Sequence, residues 1–374
     1  IMWALALTAA RLSPPLPPPP PTLLPHPPTT PNHLHAHPTL PPPCRPPPSP
    51  CLRPPLLAFL HPVTFLRWIS QLLQRRVRPT TLLPGEVALL IKLGGSALTD
   101  KTSFETVKER VLQTTALQLR ASTAPVIVHG AGSFGHFQAH EFGVARGAAD
   151  PRFSWLGFSQ TRASVSRLHT RVVSSLVAAG LPAVGLPPFP HWRTREKRVS
   201  RARVAELRAV LAKGLLPVLH GDAVFTDEGR ECGILSGDEL CRALSEALRP
   251  RLCVFLASVA GVFDRPPEAP HAKLIRVIRV DRRGRLVEGP KVSTDSVAHD
   301  VTGGLRAKLE AAVQIARLGV PVCICEGGTG HAAMALQGRI PSVCTMLVRS
   351  DHSFPEGGDY LATSCSKSTG TSVS

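Results

Sequence analysis

Residues 86–96 read EVALLIKLGGS, and residues 125–136 read PVIVHGAGSFGH. In each, a short and mainly apolar run leads into a glycine loop, past Lys92 in the first and His129 in the second. Apolar runs of this length suit strands buried on both faces, as in a parallel sheet covered by helices on either side. Outward from these two stretches the rhythm repeats. Helical spacing predicts elements over Phe104–Arg120, within Phe153–Ala179, over Ala202–Lys213 and Gly304–Leu318, and near His331–Gln337. Between them lie the strand-like runs PAVGL (182–186), LLPVLHG (215–221), RLCVFLA (251–257) and PVCICEG (321–327). The segment AVFTDEGRECGILSG (223–237) breaks the alternation, and its Asp227-Glu228-Gly229 predicts a β-hairpin. The expected fold is therefore α/β: a three-layer αβα sandwich around a mainly parallel open sheet, with one added hairpin.

Composition divides the chain. Of 39 prolines, 21 lie in residues 11–55, and residues 1–85 carry seven arginines with no lysine, Asp or Glu. Proline removes a backbone donor and fixes φ, so this part reads as a disordered, polyproline-like extension with little to bury. Val63–Val77 could form a short basic amphipathic helix resembling a mitochondrial presequence, although it lies far from the N-terminus. The chain opens on Ile1, as a fragment would. The expected division is an extension over 1–85, one folded domain over 86–347 and a loose Ser/Thr-rich tail over 348–374.

Several function classes lose support. The formal charge of +17 comes partly from the extension, and a single tyrosine with 5% aromatic content gives little for base stacking, so no nucleic acid is expected as partner. No run of eighteen apolar residues appears, which speaks against a membrane span. Nine cysteines without CxxC spacing suggest reduced thiols rather than disulfides or structural zinc. A cytoplasmic location fits best, with a mitochondrial one left open by the arginine-rich segment.

The glycines cluster where strands end: Gly94-Gly95-Ser96, Gly130-Ala131-Gly132-Ser133-Phe134-Gly135-His136, His220-Gly221-Asp222, and Thr302-Gly303-Gly304 before a helix. Ligands of open α/β sheets bind beyond the carboxyl ends of strands, and free backbone N–H groups there suit phosphate oxygens. A lone Gly-Gly is usually a turn; four such loops at matching places favour a phosphate ligand. Walker A spacing is absent. The GxGxxG string at 130–135 follows the second strand, and no acidic residue ends a strand ~20 residues on, so a dinucleotide site is disfavoured.

Taken together, KLGGS (92–96), TDK (99–101), HGAGSFGH (129–136), HGD (220–222), SGDEL (236–240), GVFDRPPE (261–268) and DVTGGLRAKL (300–309) resemble the amino acid kinase superfamily and, within it, the isopentenyl phosphate kinase family. The likeness runs from about Ala88 to Leu347. It implies ATP-dependent phosphorylation of isopentenyl phosphate, with Mg2+ held by phosphates and water, and a homodimer. By the same likeness Lys92, Lys101, His136 and Asp238 are the catalytic set. Lys92 and Lys101 neutralise phosphates, His136 orients the acceptor phosphate, and Asp238 organises Lys92 and Lys308. Ala131, His136 and Gly221 are expected to hold the acceptor. Lys92, Gly94, Gly95, Ser96, Gly132, Ser258, Gly304 and Lys308 are expected to hold the nucleotide. His129 and His220 read mainly as structural. Phe137, Phe153, Trp155, Leu156 and Phe158 are candidates for an apolar tail pocket. Two positions depart from the family: Ser258 stands where an aspartate is usual, and Ala131 replaces a frequent glycine. The rival readings are another small-molecule kinase of the superfamily, a non-catalytic phosphate-binding relative, and a basic nucleic-acid binder.

Overall fold

A computed structural model describes residues 86–123, 125–288, 303–352 and 358–359. The expected extension over 1–85, most of the expected tail and Asp300–Thr302 lie outside the described residues.

The chain enters the fold as β1 (Leu89–Leu93), turns through a single-turn helix α1 (Gly95–Leu98) and continues as α2 (Glu109–Leu119) and β2 (Pro125–His129). A 3-10 turn at Gly132–Phe134 leads into α3 (His136–Glu141), the long α4 (Trp155–Ala178) and β3 (Ala183–Gly185). Next come β4 (Arg193–Arg195), β5 (Arg198–Arg201), α5 (Val204–Ala212), β6 (Leu216–His220), β7 (Asp222–Thr226) and β8 (Cys232–Leu235). The remainder is α6 (Gly237–Leu248), β9 (Leu252–Ala257), β10 (Val277–Val280), β11 (Leu286–Glu288), α7 (Gly303–Arg317), β12 (Val322–Glu326), α8 (Gly330–Leu336), β13 (Arg339–Ile340), β14 (Thr345–Arg349) and β15 (Gly358–Asp359).

Among the described residues the main sheet has the order β11-β10-β14-β12-β9-β1-β2-β6-β3. The pairings from β12 through β9, β1, β2 and β6 to β3 are all parallel. Antiparallel pairs occur only towards the other edge, at β12–β14 and β10–β11. Side chains of these central strands alternate between two apolar layers. Leu90, Val126, Cys253 and Phe255 face one core with Leu240, Leu244, Ala312 and Ile315 of α6 and α7. Leu89, Ile91, Ile127 and Val254 face the other, with Leu112, Leu168, Val172 and Ala335 of α2, α4 and α8. That is the expected αβα sandwich, because strands this apolar on both faces need a helical layer on each.

The expected hairpin is present as β7 and β8, antiparallel with Asp222 opposite Leu235. Its sheet is larger than the sequence suggested. β4 pairs with β7, and β5 with β4, giving a second sheet of order β5-β4-β7-β8. The β4–β5 turn places Glu196 and Lys197 at φ of 48° and 64°, left-handed values that no glycine advertises. Two expected boundaries move. The helix expected from Phe104 starts at Glu109, because Thr99 and Val107 form a bridge and the Lys108 amide donates to the Leu98 carbonyl. The domain edge expected at 347 falls inside β14, and Gly358–Asp359 pairs with Arg339–Ile340.

Candidate active site

β1 is the centre of the molecule's geometry. The chain leaves it for β2 on one side and returns as β9 on the other, so the carboxyl ends of all three open into one crevice. The glycine loops meet there backbone to backbone. A Cβ on Gly95 would lie 2.6 Å from the Gly132 nitrogen, and one on Gly130 would lie 2.6 Å from the Gly95 nitrogen. Gly132 also has φ +53°. These glycines let the two loops close on each other. Ala131, by contrast, sits at φ −72°, where a methyl group carries no strain, and its Cβ packs over Gly135.

Strand alternation sends Lys92 to the same side as Leu90, towards α6. Lys92 is only 4% exposed. Its Nζ lies 2.7 Å from Asp238 Oδ1 and 5.4 Å from the centroid of Phe255. A buried ammonium needs such a partner to stay charged. Asp238 is the second residue of α6, whose N-terminus is capped by Ser236 accepting from the Glu239 amide at 3.1 Å. Glu239, also buried, accepts from Arg198, Arg242 and the Val199 amide, tying β5 to the start of α6. The start of α6, which carries Asp238 opposite Lys92, is thus held by its Ser236 cap and by β5.

Lys308, on α7, is 7% exposed. Burial, then the charges of Lys92 and Lys101, push its amine down to about 8, while Asp238 pulls the other way. Asp238 was expected to pair with both lysines; its direct ion pair is with Lys92, and it acts on Lys308 through the field alone. Lys101 lies exposed in the loop after α1. Its charge also reaches His136, at the first residue of α3, whose imidazole sits below its ordinary value mainly through desolvation and then through Lys101. Lys92, Lys101 and Lys308 therefore share one region with Asp238, a grouping of positive charge suited to phosphates.

Ser258, beyond the end of β9, lies with its Oγ 3.4 Å from Ser96 Oγ. Gly94 donates to the Leu256 carbonyl at 2.8 Å, and a Cβ there would stand 2.6 Å from that oxygen. Gly304 is in the first turn of α7. The Gly221 amide was expected to face a phosphate, but it donates to the His129 carbonyl at 2.9 Å as part of the sheet ladder. What Gly221 leaves is room: a Cβ there would be 3.2 Å from the Gly237 nitrogen and 3.8 Å from that of Ala131.

The candidate tail residues separate. Phe153, Trp155 and Phe158 join an edge-to-face aromatic group beneath α3, to which Phe189 and Phe225 also belong. Leu156 is 69% exposed and takes no part, and Phe137 packs against Phe104 instead. Sequence reasoning missed Phe189, Phe225 and the pair that fixes them. Arg162 stacks 4.1 Å from the Phe189 centroid and donates twice to Asp222, each bond 3.2 Å. Burial raises the Asp222 carboxyl, and Arg162 opposes the rise. The HGD motif was the available signal for Asp222.

Among the described residues, no group of three or more His, Cys, Asp or Glu side chains could hold a metal ion, and no helix is long and apolar enough to cross a membrane.

Residues 88–326 match the family model of the amino acid kinase family. An isopentenyl phosphate kinase of Arabidopsis thaliana is 36% identical over 302 residues, covering 67% of this chain and 91% of that protein. A solved isopentenyl phosphate kinase superposes with a TM-score of 0.59 at 29% identity, over 69% of this chain and 99% of its own. The product complex of the T. acidophilum isopentenyl phosphate kinase gives 0.56 at 26% identity, over 70% and 100%.

Proposed function

We propose that this chain, which belongs to the amino acid kinase family and stands within it among the isopentenyl phosphate kinases, transfers the γ-phosphoryl group of ATP to isopentenyl phosphate, giving isopentenyl diphosphate and ADP. The observation that carries the chemistry is the convergence of Lys92, Lys101 and Lys308 with Asp238 at the carboxyl ends of β1, β2 and β9. An acceptor phosphate oxygen attacks the γ-phosphorus while the bond to the β,γ-bridging oxygen breaks, and its electrons leave on ADP. Two anions must be brought together for this, so positioning and charge neutralisation dominate the catalysis.

Lys92, held in its ion pair with Asp238, spans the phosphates of both substrates. Lys101 and Lys308 offset charge on the nucleotide side. His136 donates to the acceptor phosphate, with the Ala131 and Gly132 amides beside it. Gly94, Gly95, Ser96, Ser258 and Gly304 border the nucleotide. The aromatic group of Trp155, Phe158, Phe189 and Phe225 takes the apolar C5 tail. Mg2+ fits as an ion carried on phosphate oxygens and water, because Asp238 is already committed to Lys92; bound there it adds neutralising charge. The folded domain that begins at about 86 and runs past the end of β14 carries this site, and a homodimer working in the cytoplasm completes the proposal.

The test is ATP-dependent ADP release with isopentenyl phosphate, dimethylallyl phosphate, UMP and acetylglutamate as acceptors. Turnover with isopentenyl phosphate is expected. Turnover with only UMP or acetylglutamate overturns the substrate, and ligand-induced stabilisation without ADP release overturns catalysis.

A further inference from the structure

Three histidines lie buried behind the crevice, on the α2/α4 side of the sheet, and the chemistry above uses none of them. His129 ends β2 and His220 ends β6, side by side in the ladder; His169 reaches them from α4. The three are 0%, 0% and 7% exposed. The rings of His129 and His220 stack with centroids 5.4 Å apart, and His169 lies 5.3 Å from His129 and 4.5 Å from His220.

Their partners fix their tautomers. His129 Nδ1 is 3.0 Å from the Gly130 carbonyl, and His220 Nδ1 is 2.9 Å from the Gly221 carbonyl. A carbonyl only accepts, so both rings carry their proton on Nδ1. With the rings neutral, His129 Nε2 is an acceptor, and its partner at 3.0 Å, His169 Nδ1, is the donor. The buried Nε2 atoms of His169 and His220 meet no protein partner, which is consistent with bare lone pairs at both. Gly185 makes space for this arrangement: a Cβ there would stand 2.4 Å from His169 Nε2. The bonds run in one direction, from His169 through His129 to the Gly130 carbonyl, so each polarises the next.

A trans peptide holds its C=O and N–H antiparallel. Pinning the Gly130 carbonyl towards His129 therefore turns the Ala131 N–H the opposite way. His129 lies on the Leu93 side of the sheet, whereas Lys92 lies on the other. We propose that His129, held by His169 and packed against His220, is a positioning residue that aims the Ala131 amide at the acceptor phosphate. This rests on the kinase reading for the identity of the acceptor. His220 holds the next peptide in the same manner and steadies the segment leading into Asp222.

Asparagine can place an amide N–H where Nδ1–H stands; leucine fills space without a donor. In the full chain, His129→Leu is expected to raise the KM for isopentenyl phosphate about ten-fold or more, with the KM for ATP within two-fold of the parent. His129→Asn should stay within about three-fold on both. Equal behaviour of the two variants, or parallel rises in both KM values, overturns the proposal. Should His129→Leu fail to fold by circular dichroism, the same contrast between His169→Leu and His169→Asn decides it. A two-bond 1H–15N correlation spectrum of the imidazoles gives a readout independent of turnover. Nδ1 protonation of all three rings at pH 7 is expected, and an Nε2–H tautomer at His129 overturns the proposal even where no acceptor is turned over. A parent protein with these tautomers but no turnover of isopentenyl phosphate would instead sink the kinase reading.

Discussion

The two faces of the sheet carry opposite solutions to the same problem at the same edge. On the α6/α7 face, Lys92 and Lys308 are buried near the Asp238 carboxylate, and the proposed reaction brings anions to them. On the α2/α4 face, His129, His169 and His220 are buried just as deeply but neutral; burial holds His220 at about 4 and His169 at about 3. Burying charge costs far more than burying a neutral polar ring. The first face bears that cost because phosphates arrive to offset it. The second face meets only backbone carbonyls and other rings, so neutrality is the cheaper state. One residue of register separates the two: Lys92 and Leu93 point to opposite sides.

The comparison can be broken most severely at Lys92. Lys92→Met should lower kcat/KM by about 10^3-fold, the scale for removing a preorganised charge donor, while leaving the fold intact by circular dichroism. A loss below ten-fold would take Lys92 out of the chemistry. On the other face the strongest lever is pH. The histidines are neutral when folded and take up protons near 6.5 when unfolded, so they favour the folded state above 6.5, and that advantage fades as pH falls towards 4. Between pH 7 and 5.5 this amounts to roughly 1 kcal/mol per ring, about 3 kcal/mol together. Arg162, the charged group acting on His220, adds to the effect, whereas the raised carboxyl of Asp222 opposes it from the acid end. The melting temperature should drop by about 10 °C over that interval, and by about a third less in His169→Phe. A flat profile would mean the rings are charged.

Next in size is His136→Ala, expected to cost about 100-fold in kcat with ATP binding unchanged, as read by titration calorimetry. Lys308 tests whether the charged face is tuned or merely basic. Its amine sits at about 8 in the ligand-free protein, so raising the pH from 7.5 to 9 discharges it. The KM for ATP should then rise about ten-fold. Lys308→Arg should flatten that limb, since guanidinium stays charged. The smallest change is Ala131→Gly. At φ −72° the alanine is unstrained, so the glycine should cost up to about 1 kcal/mol of stability through unfolded-chain entropy, measured by urea unfolding, with little effect on rate.

Much of this was legible in the chain. Mainly apolar runs such as residues 87–93, interrupted only by Lys92, suit strands covered on both faces, so the layering followed from hydrophobicity, whereas the strand order needed the pairing itself. The glycine loops marked where two backbone segments close on each other for a local reason, the cost of a Cβ. Less legible were β4 and β5, because the arginine-rich run at 193–201 looks solvated until Glu239 and Asp227 are brought to it. The aromatic group was half visible. Phe158 lay in the expected helix, whereas Phe189 and Phe225 come from elements far away in sequence.

The sequence by itself determined the periodicity, the glycine loops and the inventory of lysines and histidines, since these depend on neighbouring residues and backbone geometry. Only the tertiary structure decided which lysine Asp238 pairs with, that the Gly221 amide is already bonded, and that three histidines from β2, α4 and β6 pack together. Those outcomes depend on distances between residues far apart in sequence, such as Lys92 and Asp238, and on which face of a strand each side chain takes. Burial then set the charge of each group, and burial is a property of the packed molecule rather than of any local stretch.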